Sequence, residues 1–181
     1  DENDFVLRPH NFGDDKNGKG YCMVDFGKTQ VAVINLSGKI YLEKHSSECP
    51  FKTADILVEK AKNDGIKIII VDFHAEATSE KRALGFYLDG KVSAFFGTHT
   101  HIQTADEQIL PNGTGYITDL GMTGTVDSVL GVKKEIIIGR LKDNDMSKFE
   151  LADGECMLNG CIFEIDDKTG KTVDIQRINI K

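Results

Sequence analysis

A strand–helix–strand pattern between residues 67 and 97 constrains the fold of this chain more than any other feature of its sequence. Residues 67–73 contain an Ile-Ile-Ile-Val run, which is typical of a strand buried on both faces of a sheet. Residues 78–89 then repeat apolar side chains at helical spacing, and residues 92–96 provide a second apolar strand. Connections this short make the two strands parallel, almost always through a right-handed crossover. We therefore predict an α/β fold built around this parallel pair.

Weaker patterns extend the prediction on both sides of this unit. Apolar residues at Ala54, Leu57, Val58 and Ala61 form a helical stripe, and Gly65 stands where a helix commonly ends. The further elements that we predict are helices over residues 51–64 and 133–142, and strands over residues 5–8, 21–26, 30–36, 108–110, 115–118, 149–152, 156–165 and 172–180.

Length and composition limit the class of protein. The chain has 181 residues, of which 40% are hydrophobic and 28% charged, and this suits one globular domain spanning residues 1–181. No apolar window approaches the length of a membrane-spanning helix, and the net charge of −7 disfavours a stable nucleic-acid complex. The four cysteines form no Cys-x-x-Cys pair, so we expect reduced thiols in a cytoplasmic protein.

Three of the five histidines lie where the two central strands end. His74 follows the first strand, and His99 and His101 follow the second within a Gly-Thr-His-Thr-His run. Because parallel strands have their carboxyl ends on one edge of the sheet, where ligands bind in open α/β folds, these imidazoles should share a crevice. Imidazole suits divalent zinc, manganese, iron and nickel. The pattern therefore predicts a metal site, with His99 and His101 on one ion or on two neighbouring ions.

Other interpretations of these residues remain open from the pattern alone. A lone histidine at a strand end is usually an ordinary polar residue, and Asp72 would either orient an imidazole or be an unrelated strand-end carboxylate. His10 and His45 lie in polar segments, and we predict that both are solvated. The Gly-Asp dipeptide at residues 13–14 follows no apolar strand, so we predict a turn there.

Several enzyme classes are excluded by missing motifs. The His-x-Glu at residues 74–76 matches half of the zinc deaminase signature, but those enzymes also need a Pro-Cys-x-x-Cys segment. Here Cys156 and Cys161 have four residues between them and no preceding proline. A serine nucleophile elbow, a phosphate-binding Walker loop and a dinucleotide glycine fingerprint are also absent.

The longest motifs support a family resemblance. Residues 71–81, 97–106 and 116–124 closely resemble the YmdB-like branch of the calcineurin-like metallophosphoesterases, and residues 7–12 and 33–36 are similar to the same family. The resemblance extends from about residue 5 to the C-terminus, which is essentially the whole chain.

This resemblance implies a four-layer α/β/β/α sandwich that carries two divalent metal ions, of manganese, iron, zinc or magnesium. It also implies hydrolysis of phosphodiesters such as 2′,3′-cyclic nucleotides by attack of a metal-activated hydroxide. His74, His99 and His101 match the family's metal-ligand histidines.

Five further residues lie where the family's substrate would bind: Glu76, Thr78, Thr98, Met122 and Thr123. Each has a structural alternative. Thr78 would cap a helix, Glu76 would be a solvated carboxylate, and the loop over residues 119–124 would owe its glycines to turns.

The chain departs from the family at its start. Family members begin with a Gly-Asp ligand, a Glu-Asn pair and a Gly-Asn-His segment that supplies the catalytic histidine acid, and none of these occurs here. We therefore expect an N-terminally incomplete domain that lacks its first strands and helices, with no catalytic acid in this chain.

The expected partners follow from this departure. They are a small phosphoester or cyclic nucleotide, and either the missing N-terminal segment or another copy of the chain in a homo-oligomer. The alternative is a catalytically inactive fragment that binds metal or phosphate, or serves as an interaction module.

Overall fold

The computed structural model describes residues 6–13, 17–42 and 48–181 and contains two sheets and three α-helices in those parts of the chain. In chain order the elements are β1 (Tyr21–Asp25), β2 (Gln30–Ser37), α1 (Pro50–Asn63), β3 (Ile68–His74), α2 (Thr78–Tyr87), β4 (Ala94–Thr98), β5 (Gln108–Ile109), β6 (Gly115–Ile117), β7 (Gly124–Thr125), α3 (Lys134–Asp143), β8 (Cys156–Ile165) and β9 (Thr172–Ile180). A short 3-10 helix, His10–Phe12, precedes β1.

The larger sheet has six strands in the order β1-β2-β3-β4-β6-β5. Strands β2, β3, β4 and β6 run parallel to one another, whereas the edge strands β1 and β5 pair antiparallel with β2 and β6. In the β3–β4 ladder, Phe73 lies opposite Gly97 and His74 lies opposite Thr98. The predicted α/β class and the predicted parallel pair are therefore confirmed.

One face of this sheet carries the hydrophobic core. In β3, Ile69, Val71 and Phe73 are buried in the cluster that contains the apolar residues of α1 and α2, while Ile70 and Asp72 between them are only half-buried. This alternation corrects the expectation that β3 is buried on both faces. Because side chains alternate along a strand, the polar residues of β3 lie on the half-buried face.

The second sheet has the order β7-β8-β9 and consists mainly of the long antiparallel β8–β9 hairpin. Phe163 of β8 packs against Phe96 of β4, with 6.5 Å between the ring centroids. The Gln103 side chain donates hydrogen bonds to the carbonyl oxygens of Gly160 and Ile178. The hairpin is thereby attached to the half-buried side of β4.

Three local predictions are wrong or only partly correct. Residues 149–152 do not form a strand, because this segment is largely exposed and contributes only an isolated bridge between Leu151 and Val132. Leu7 likewise forms only an isolated bridge with Lys19, and Phe5 lies outside the described residues. Helix α2 begins at Thr78 with Ala77 as its N-cap and no capping side chain, so Thr78 is not a helix cap.

The structure also bears on the predictions for the cysteines, for membrane-spanning helices and for the polar segments near the N-terminus. The four cysteines are free. No helix of the described residues is long and apolar enough to cross a membrane. His10 lies in the 3-10 helix with an interaction partner rather than as a solvated side chain, whereas His45 and Asp14 lie outside the described residues.

Helix α2 packs so closely on β6 that a helical glycine should be required at one position. A Cβ at Gly85 would lie 2.5 Å from Cε2 of Tyr116, a fully buried residue whose ring is stacked on Phe95. We expect Gly85→Ala to lower the free energy of unfolding by about 1–3 kcal/mol, because overpacking outweighs the gain in helix propensity. Urea denaturation measures this change.

The matched control is Gly139→Ala in α3, where the nearest atom to a new Cβ is Asp145 Oδ2 at 3.5 Å. This substitution should raise the free energy of unfolding by up to about 1 kcal/mol, since alanine favours a helix more than glycine does. Equal effects of the two substitutions would contradict the packing of α2 on Tyr116.

Candidate metal centre

The carboxyl ends of β3 and β4 bring two histidines into direct contact. β3 ends at His74, β4 ends at Thr98 opposite it, and His99 follows at once. Nε2 of His74 lies 3.0 Å from Nδ1 of His99, and the two rings meet edge to face with 4.8 Å between centroids. The topology argument from sequence thus correctly placed these two imidazoles together.

A chain of hydrogen bonds orients the His74 ring from behind. Asn35 of β2 donates to Oδ2 of Asp72 at 2.7 Å, and the Thr98 hydroxyl donates to Oδ1 of Asp72 at 3.1 Å. Since its proton goes to Asp72, Thr98 Oγ1 accepts the Nδ1 proton of His74 across 3.2 Å. The network therefore assigns the neutral His74 ring a lone pair on Nε2, the atom that faces His99.

The second imidazole has a carboxylate behind it as well. Nε2 of His99 lies 2.7 Å from Oε2 of Glu76, whose side chain is 48% exposed. If neutral His99 donates its Nε2 proton to this carboxylate, its Nδ1 also carries a lone pair. Two lone pairs 3.0 Å apart repel one another unless a cation lies between them or beside them. Metal–imidazole bonds of roughly 2.1 Å would let one ion reach both nitrogens.

Burial and nearby charge favour the neutral form of the first histidine. Burial lowers the pKa of His74, and the charge of His99 lowers it further. Burial also raises the pKa of Asp72, although the hydrogen bonds from Thr98 and Asn35 favour its ionised form. Because an imidazole must lose its proton before it binds a metal, the lowered pKa of His74 suits a ligand.

The loop after β4 has a strained backbone at both of its histidines. His99 has a φ of 118° and His101 a φ of 65°, in a region that residues other than glycine rarely adopt. Such strain persists only where the surroundings enforce it, and it is concentrated at functional sites. The His101 side chain is exposed, and its backbone oxygen accepts a hydrogen bond from the Met122 amide.

The third predicted ligand does not complete a preformed site. Among the residues that the structure describes, no three histidine, cysteine, aspartate or glutamate side chains converge in the arrangement that a metal ion needs. His101 is close enough for its charge to lower the pKa of His74. The structure therefore brings His74 and His99 into contact and leaves His101 exposed beside them.

A buried ion pair beneath this loop was not recognised from the sequence. Nζ of Lys81 donates to Oδ2 of Asp119 at 2.8 Å, and each side chain is only 1% exposed. Burial raises the pKa of Asp119, but the bonds from Lys81 and from the amides of Gly121 and Thr100 outweigh it, so the pKa lies below its ordinary value. The sequence offered one signal for it: Lys81 lies three residues before Leu84, and therefore on the apolar face of α2.

The remaining predicted site residues lie around this edge in different roles. Thr98 and Glu76 hold the histidine rings, as described above. Thr78 and Thr123 are exposed, and neither hydroxyl forms a hydrogen bond with another described residue. The backbone oxygen of Met122 accepts a hydrogen bond from Asn159 of β8.

Comparison with known proteins identifies long matches. A family model described as YmdB-like protein matches residues 1–178. The chain is 49% identical over 175 residues to a 2′,3′-cyclic-nucleotide 2′-phosphodiesterase of Bacillus subtilis, a match that covers 97% of this chain and 65% of that protein.

Two solved structures resemble the whole described fold. One is a novel phosphatase from Mycoplasma pneumoniae, with a TM-score of 0.89, 36% identity, and coverage of 98% of this chain and 64% of that chain. Another is a hypothetical protein from Thermus thermophilus, with a TM-score of 0.85, 36% identity, and coverage of 96% and 66%. The chain thus spans about two thirds of the length of these relatives.

The orienting role of Thr98 can be tested by Thr98→Val, which removes the acceptor of the His74 Nδ1 proton. In the metal-free protein at neutral pH we expect the His74 tautomers to become mixed, and the ring ¹⁵N chemical shifts measure this directly. Thr123→Val, which alters an exposed hydroxyl on the same edge, should leave these shifts unchanged. Unaltered His74 shifts in Thr98→Val would disprove the relay.

Proposed function

Because the chain belongs to the family of YmdB-like proteins, we propose that the complete protein is a metal-dependent phosphodiesterase acting on 2′,3′-cyclic nucleotides. The observation that carries this proposal is the pair of ring nitrogens of His74 and His99, 3.0 Å apart and each oriented from behind by a carboxylate network. The name of the Bacillus subtilis relative supports the choice of substrate.

His74, His99 and His101 are the residues that would hold the metal, as part of a centre for two divalent ions of manganese, iron, zinc or magnesium. Such ions supply an activated water and neutralise the charge of a phosphoryl group. The donor set fits this use, since neutral imidazoles suit borderline divalent ions and both rings have an orienting partner.

A buried oxygen of Asn35, next to Asp72, also fits a site whose remaining ligands come from another part of the protein. Oδ1 of Asn35 is buried without a hydrogen-bond partner among the described residues, although its Nδ2 is bound to Asp72. We infer that the remaining ligands lie outside the described residues. A further segment of the protein or another copy of the chain in a homo-oligomer would supply them.

The chain's own residues have separable tasks in this proposal. Asp72 and Thr98 fix the His74 tautomer that leaves Nε2 free, and Glu76 orients His99. Thr78, Met122 and Thr123 lie at the same edge, and we assign them to contacts with the sugar or phosphate of the substrate. The two threonines suit this role because their hydroxyls are exposed.

The substrate class is tested with the protein expressed from its complete reading frame. We expect Mn²⁺-dependent hydrolysis of 2′,3′-cyclic AMP, loss of activity after EDTA treatment, and recovery on addition of Mn²⁺, followed by chromatographic detection of the nucleotide product. Absence of hydrolysis with manganese, iron, zinc and magnesium alike would favour the alternative of a noncatalytic binding or interaction module.

The ligand assignment is tested by single substitutions in the same protein. His74→Ala, His99→Ala and His101→Ala should each reduce the bound metal, measured by elemental mass spectrometry, and abolish turnover. His10→Ala is the control, because His10 lies in the 3-10 helix before β1, and both quantities should then remain at the wild-type level. Unchanged metal content in the three site variants would refute the assignment.

A further inference from the structure

The backbone between His99 and His101 is tied to a single buried carboxylate. Oδ2 of Asp119 accepts the Thr100 amide at 3.0 Å, and Oδ1 accepts the Gly121 amide at 2.9 Å. The Asp119 amide in turn donates a hydrogen bond to Oγ1 of Thr104 at 3.0 Å. One side chain thus joins the histidine loop to the loop that follows β6.

This carboxylate depends on a lysine that comes from a different element. Lys81 of α2 is fully buried and reaches the same Oδ2 that holds the Thr100 amide. Its path explains the glycine of the Gly-Thr-His-Thr-His run, because a Cβ at Gly97 would lie 2.8 Å from Cδ of Lys81 and would also collide with the Thr118 carbonyl. The packing at Gly97 therefore leaves room for the lysine to pass.

We propose that the Lys81–Asp119 ion pair is a positioning device for metal binding, which holds the backbone between His99 and His101 in its strained form. This inference rests on the proposed metal-dependent function. A buried pair of opposite charges contributes little to stability by itself, whereas it can enforce one specific arrangement. The positive φ angles of His99 and His101 need such support, because a strained backbone persists only where its surroundings enforce it.

The test uses double substitutions, since replacing one partner alone would leave an unpaired buried charge. Lys81→Met with Asp119→Leu removes both charges and both acceptors for the loop amides. Lys81→Met with Asp119→Asn also removes both charges but keeps one side-chain oxygen for the Thr100 amide. Lys91→Met is the control, because Lys91 precedes β4 at the amino ends of the parallel strands, away from the histidines, and forms a partly exposed ion pair with Asp55 at 3.5 Å.

Two measurements report positioning rather than stability. In the metal-free protein, hydrogen exchange at the Thr100 amide should accelerate in the leucine double variant. In a Co²⁺ titration of the protein from its complete reading frame, followed by visible absorption, affinity per folded molecule should fall by about 10- to 100-fold, as for other residues that orient metal ligands. The asparagine double variant should show a smaller loss, and Lys91→Met should show none.

The outcomes separate the two proposals. If the wild-type protein neither binds Co²⁺ nor hydrolyses 2′,3′-cyclic AMP, the proposed function fails. If the wild type does both, and the leucine double variant folds with unchanged affinity, spectrum and Thr100 exchange, the positioning role alone fails. If the leucine double variant does not fold, the asparagine double variant decides. A Co²⁺ affinity and a Thr100 exchange rate equal to those of the wild type would then overturn the positioning role.

Discussion

The pairing register of β3 with β4 is the constraint on which both the core and the candidate site depend. Phe73 faces the helices with Ile69 and Val71, so the period of two along a strand places Asp72 and His74 on the other face. A slip of one residue would exchange the two sets and expose the core side chains. The hydrophobic effect that stabilises the sheet therefore also selects the edge where the imidazoles meet.

This register also requires that the polar side chains on the half-buried face of the sheet find hydrogen-bond partners among themselves. Asp72 lies opposite Asn35 in β2 and two pairs before the His74–Thr98 pair, and the network joins the side chains of Asn35, Asp72, Thr98 and His74. A half-buried carboxylate without these donors would be costly to keep ionised. The same contacts that make Asp72 tolerable in the sheet set the tautomer of His74, so local stability and ligand orientation have one cause.

Sequence patterns predicted the elements whose signal is local. The apolar stripe of α1, the β-branched run of β3 and the short crossover through α2 were enough to place His74 near His99. Residues 149–152 show why such signals fail, since an apolar alternating segment forms a strand only where a partner strand is available.

Side-chain networks were beyond prediction because their partners are distant in the chain and depend on register. Asn35 and Asp72 are 37 residues apart, and Lys81 and Asp119 are 38 residues apart. Neither pair has a spacing that a periodic pattern could reveal. The positive φ angles of His99 and His101 were equally hidden, because histidine, although enriched among the non-glycine residues with positive φ, still adopts such angles only rarely.

The charges around the histidines bear on the proposed metal dependence. Within the described network the carboxylates of Asp72, Glu76 and Asp119 outnumber the ammonium of Lys81, and the whole chain carries a net charge of −7. A phosphodiester anion approaching this edge would meet a field of its own sign. Two divalent ions held by neutral imidazoles would reverse the local sign without requiring basic side chains. Under the proposed function, this acidic edge is therefore suited to a phosphoester substrate only when the metal is bound.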